Sequence, residues 1–134
     1  AFSEAAVSEL EVFSGAVKEV VRLTMEAMKT EDVSLARRVE PLEEVIDHIG
    51  NAMKKRHIDR LREGRCTIEL GFILSDLTTS YKRIADHCSN IAGCVMDTKE
   101  RNMNLHESLK LIRSDSEFYR EKYSEYTKKY ISFV

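Results

Sequence analysis

Apolar side chains recur along this chain in steps of four and three residues, over four long stretches separated by short polar breaks. Ala6, Leu10, Phe13, Val17, Val20, Thr24 and Ala27 form the first series, which predicts a helix from about Ser3 to Met28. Leu35, Val39, Leu42, Ile46, Ile49 and Met53, then His57 or Leu61, form the second, over about Glu31 to Arg62. The third series is Leu70, Leu74, Leu77, Tyr81, Ile84, Cys88, Ile91 and Val95, from about Thr67 to Thr98, and it is the most regular of the four. It predicts that Ile84, Cys88 and Ile91 face a core. The fourth runs through Leu105, Leu109, Ile112, Ser116, Tyr119, Tyr123, Tyr126, Tyr130 and Phe133. Alternating four and three steps are the seam of a packed helix, and strands would alternate with period two.

The breaks carry helix-end chemistry. Thr30, followed by Glu31 and Asp32, predicts the start of the second helix, because acids suit the positive end of the helix dipole. Gly64 predicts its end, with Arg60, Arg62 and Arg65 around the negative end. Pro41 lies inside the second series and cannot donate to the carbonyl of Arg37. A kink there, or a start of the helix's straight portion at Glu40, is expected. Gly71 and Gly93 each cost on the order of 1 kcal/mol relative to alanine in the third helix. Gly93 either permits a close helix contact or is merely tolerated. Asn104 with Glu107 makes a capping box for the fourth helix, and Ser114 with Glu117 makes a second, which predicts a break or bend near Ser114. Four helices joined by short connections form an all-α, antiparallel up-and-down bundle, here expected to occupy residues 1–134 as one domain.

Composition narrows the function classes. The chain has 134 residues, 43% apolar and 33% charged, which suits long amphipathic helices around one core. A formal charge of −2 argues against a nucleic-acid binder. Cys66, Cys88 and Cys94 are odd in number and lack the CxxC spacing of a zinc site, so reduced thiols in a cytosolic protein are expected. There is no apolar run of the roughly 20 residues that spans a bilayer. The chain enters helical phase within a few residues of Ala1, as an excised domain would, and as would a chain whose initiator methionine is removed before alanine.

Enzyme chemistry finds no foothold. A di-iron bundle needs Glu three residues before His, and the residues three before His48, His57, His87 and His106 are Val45, Lys54, Ile84 and Met103. Gly-rich phosphate loops, nucleophile elbows and HExxH are likewise missing.

Two polar stretches carry the functional signal. On the third helix, Lys82-Arg83-Ile84-Ala85-Asp86-His87-Cys88-Ser89-Asn90-Ile91-Ala92 sets Arg83, Asp86, His87 and Asn90 on faces flanking the seam. On the second, Glu43 and Asp47 lie one turn apart on one face. By spacing alone both read more readily as solvated faces than as sites. The third-helix block, however, resembles the PhoU-type repeat, in which an acid-Arg-x-x-Asp-His-x-x-Asn-Ile-Ala pattern recurs. Glu43-Glu44-Val45-Ile46-Asp47 matches the E/DxxxD step of the same family. The resemblance spans about Val33 to Met96. His57-Ile58-Asp59-Arg60-Leu61, before Gly64 and Cys66, looks closer to the domain that follows the membrane part of sodium–phosphate cotransporters.

The resemblance implies a regulatory module that modulates phosphate uptake by helix-face contact with the membrane domain of a transporter, in its own chain and on the cytoplasmic side. It also implies an iron or zinc site at Glu43, Asp47 and Asp86, with Arg83, His87 and Asn90 as further binding residues. One position departs from the pattern. Lys82 stands where the family has an acid, and a lysine four residues before Asp86 is a salt-bridge partner that repels a cation. A metal-binding helical bundle and a ligand-free helical adaptor remain the alternatives. The basic stretch Lys54-Lys55-Arg56, continuing to Arg60, Arg62 and Arg65, reads as helix-end charge complementation or as a surface for anionic lipid headgroups. His57 and Cys88 on the seam, and the tyrosines of the fourth helix, read first as packing residues.

Overall fold

The computed structural model describes residues 2–100 and 105–131, with side chains over 2–99 and 116–131. Four helices follow one another: α1 (Glu4–Thr30), α2 (Val33–Arg62), α3 (Ile68–Glu100) and α4 (Leu105–Tyr130), and the described residues contain no strand. α2 is the central element and packs against α1, α3 and α4, whereas α4 makes few contacts with α1. The architecture is therefore a three-helix unit, α1 to α3, with α4 laid along α2.

Local chemistry sets the turns. The Ser3 hydroxyl caps α1 by accepting from the Ala6 amide at 3.2 Å. Two residues join α1 to α2. Glu31 turns the chain in the left-handed region at φ 57°, and Asp32 then donates its amide back to the Ala27 carbonyl. The Asp32 carboxylate accepts from the amides of Ser34 (2.8 Å) and Leu35 (3.3 Å), so Asp32 rather than Thr30 caps α2. Thr30 instead closes α1 and donates its hydroxyl to the Glu26 carbonyl. α2 ends at Arg62, and Gly64 takes φ +72° two residues later, as its position predicts.

α2 runs through Pro41, which is fully buried. α4 is continuous from Leu105 to Tyr130, without the break predicted near Ser114; seam phase prevails over the second capping box. The proposed caps at Asn104 and the last seam position, Phe133, lie outside the described residues.

The core follows the predicted seams on α1 and α2. Phe13, Val20, Val39, Leu42, Ile46, Ile49 and Met53 are fully buried. α3 differs. Its inner face is Leu74, Thr78, Ala85, Cys88 and Ala92, while Ile84 and Ile91 remain 39% and 37% exposed. Small residues let α3 approach α2 closely. A Cβ on Gly50 would lie 2.9 Å from the Lys82 side chain and 3.0 Å from that of Thr78, and one on Gly71 would lie 2.8 Å from His57 Nε2. Gly93 faces open space and makes no close contact.

Candidate functional site on the α2–α3 face

Antiparallel packing of α2 and α3 brings the polar stretches of the two helices opposite one another. Lys82 Nζ lies 2.9 Å from Asp47 Oδ1 and donates to Asn51 Oδ1 at 2.8 Å. One turn further along, Glu43 faces Asp86 and the two carboxyls share a hydrogen bond. Burial, the bond to Asp86 and the charges of Asp86, Glu40 and Asp47 push the Glu43 carboxyl up to about 7. A carboxyl pair of this kind holds a proton near neutrality. Arg83, His87 and Asn90 are exposed on the outer flanks of α3, apart from the shared proton.

This arrangement does not fit a resident metal cluster. A cation needs several converging, deprotonated ligands. Here an ammonium group occupies Asp47, and Glu43 and Asp86 satisfy each other. Among the described residues no group of three or more His, Cys, Asp or Glu side chains is arranged to hold a metal ion. The Lys82 departure thus has a visible physical consequence: it converts an acidic face into a cross-helix ion pair.

A second polar cluster lies elsewhere, where the beginning of α1 meets the end of α2. Glu9 is buried, and Arg56 Nε reaches it at 3.0 Å while Arg60 meets it through two nitrogens at 3.3 and 3.4 Å. Two members of the basic stretch, the exposed Arg56 and the buried Arg60, are thus partners of one buried acid. Periodicity passed over Glu9 because it neighbours Leu10 on the seam, although it also lies three residues after Ala6 and four before Phe13. Arg56 and Arg60, one turn apart, were the matching signal. His57 is buried as predicted, with Cys66 Sγ 3.7 Å from its Nε2 and donating to its carbonyl. Along α4, Lys129 and Tyr130 bond to Glu19, and the Arg37 guanidinium stacks 4.5 Å over the Phe118 ring.

Residues 10–95 match the PhoU domain family, which takes in α1, α2 and the motif of α3. The chain belongs to the PhoU domain family. It is 30% identical over 111 residues to the phosphate-specific transport system accessory protein PhoU homolog 1 of Thermotoga maritima, an overlap of 83% of this chain and 47% of that relative. The chain therefore spans about half the length of the curated relative that it matches. No solved structure matches it significantly. The PhoU domain extends to α1, beyond the second- and third-helix motifs, and its regular structure is all helical.

Proposed function

We propose that this PhoU domain is a regulatory, non-catalytic module that modulates phosphate uptake by docking on the cytoplasmic side of a sodium-dependent phosphate cotransporter, whose membrane domain lies in the same natural chain. The observation that carries this reading is the match to a relative named for the phosphate-specific transport system, over most of this chain. The structure is compatible with docking. None of its described helices is long and apolar enough to cross a membrane, so contact with a transporter would be made from outside the bilayer.

The α2–α3 face offers the contact. Asp47 and Lys82 are held in a defined pair, and Arg83, His87 and Asn90 are exposed beside them to meet a partner. The end of α2 and the beginning of α3, on either side of the turn that joins them, carry exposed Ile58, Leu61, Ile68 and Phe72 along with Lys55, Arg62 and Arg65, and we orient this end toward the anionic headgroups around the transporter.

Phosphate uptake measured across external phosphate concentrations, in cells with and without the domain, tests the proposal. Deletion is expected to deregulate uptake without abolishing it, and unchanged uptake at every concentration rejects a regulatory role. Elemental analysis of the purified protein tests the alternative. Stoichiometric iron or zinc would make Glu43, Asp47 and Asp86 ligands and would favour a metal-binding bundle.

A further inference from the structure

The turn from α2 to α3 holds a thiol against a buried imidazole. Cys66 Sγ lies 3.7 Å from His57 Nε2 and 3.5 Å from the His57 carbonyl, to which it donates. His57 is 6% exposed, and among the described residues this sulfur is the one hydrogen-bonding partner of its Nε2. Gly71 admits the ring, since a Cβ there would come within 2.8 Å of the same nitrogen. Cys66 itself is half-buried, so small molecules reach the sulfur. The other cysteines lack this setting. Cys88 is buried in the core, and Cys94 is exposed with no hydrogen-bonded imidazole among the described residues. His57 also lines an apolar cavity of about 340 Å³, with Ile58, Leu61, Ile68 and Phe72 on its walls.

We propose that Cys66 and His57 form a reactive pair, in which an organic hydroperoxide oxidises the thiol to a sulfenic acid. The sulfur attacks the terminal oxygen of the hydroperoxide, so that an S–O bond forms and the O–O bond breaks. His57 Nε2 takes the thiol proton during the attack and hands it to the departing oxygen, which leaves as an alcohol. Two electrons pass from sulfur to the peroxide, and the product is the first, reversible stage of cysteine oxidation. A nucleophilic cysteine needs a base within reach and access from solvent, and Cys66 has both. In the resting state its S–H is held by the His57 carbonyl, and rotation about the Cβ–Sγ bond turns the proton to Nε2 without moving the sulfur. The apolar cavity suits the organic part of an alkyl hydroperoxide, which is therefore expected to outpace hydrogen peroxide. Cys88 lies about 30 Å along α3 from its first residue, and Cys94 lies further still, so no second cysteine of this chain is placed to close a disulfide on the product. The turn between α2 and α3 thereby carries a reversible chemical mark.

The proposal is independent of the phosphate-regulation reading. The reduced chain, treated with cumene hydroperoxide and then with dimedone to trap sulfenic acid, tests it by mass spectrometry of its peptides. Cys66 is expected to gain the adduct roughly tenfold or more faster than Cys94 in the folded chain, and at the same rate as Cys94 once the chain is unfolded in guanidinium chloride. Labelling of Cys94 as fast as Cys66 in the folded chain overturns the proposal. His57→Gln, checked by its thermal melt to be folded, should slow Cys66 to the rate of Cys94, and an unchanged rate removes His57 from the reaction. In His57→Ala, added imidazole should restore the rate, whereas pyrazole, of the same size and a far weaker base, should not. Equal rescue by the two makes His57 a spacer and overturns its part as the base. Hydrogen peroxide, run beside cumene hydroperoxide with free cysteine as the reference for each, tests the cavity. A Cys66 that favours hydrogen peroxide overturns the choice of an organic oxidant.

Discussion

Glu43 concentrates the electrostatic interest of the fold in one side chain. Its neighbours on α2 are Glu40 and Asp47, and Asp86 faces it from α3, with Lys82 taken up by Asp47. A carboxyl whose folded value is raised binds its proton more tightly in the folded state. The stability it contributes is fully present below its unfolded value near 4.5 and is lost as pH rises through about 7. The melting temperature is therefore expected to fall between those two values by an amount traceable to this residue. Glu43→Gln, which keeps the donor to Asp86 and removes the charge, should flatten that slope and raise stability at pH 8. Equal slopes in both proteins over this range would place the shared proton elsewhere. Nothing in the spacing of one helix discloses such a pair. Glu43 and Asp47 are legible as a step on one face of α2, but the partner of each is decided by the register between helices. That register depends on Gly50 and Gly71, which leave room for the Lys82, Thr78 and His57 side chains of the facing helix.

Among the elements, α1 and α2 were legible and α3 was legible in extent but not in rotation. The first two bury large apolar residues at seam positions, so periodicity and burial coincide. On α3 the close approach to α2 selects small side chains, Ala85, Ala92 and Thr78, and turns the isoleucines of the same seam outward. Thr78 fits the interior because its hydroxyl donates to the Leu74 carbonyl at 2.7 Å. Apolar size was the sequence signal, and at a close helix contact the smallest residues are the buried ones. Ile84→Ala is accordingly expected to cost under about 1 kcal/mol, because partly exposed side chains lose little on truncation. Ile46→Ala, fully buried at the centre of α2, should cost about 2–5 kcal/mol. Denaturant melts of the two variants side by side give the comparison. A large loss at Ile84 would mean that α3 is rotated from the position described.

At the scale of the whole molecule, helices are not equally supported. α1, α2 and α3 pack on one another, while α4 rests chiefly on α2 and is tied to α1 through Glu19. Its described contacts are aromatic and polar: Phe118 under Arg37, Tyr126 in the core, Tyr130 on Glu19. Hydrogen exchange should therefore show the amides of residues 116–130 opening before those of α2. Simultaneous exchange of both would make the four helices one cooperative unit. The four-helix count and the up-and-down order were readable from the seams and their short breaks. The subordinate standing of α4 was not, since its tyrosine row is as regular as any other seam and periodicity carries no information on how many neighbours a helix will have.

The central placement of α2 makes it the shared axle of the molecule. One side meets Glu9 through Arg56 and Arg60, another holds Glu43 and Asp47 against α3, and a third stacks Arg37 on the α4 ring. A turn or slide of this one rod would disturb all three contacts at the same time. A load on α4 therefore bears on the same helix that holds the Glu43 carboxyl against α3, although among the described residues α3 and α4 barely meet.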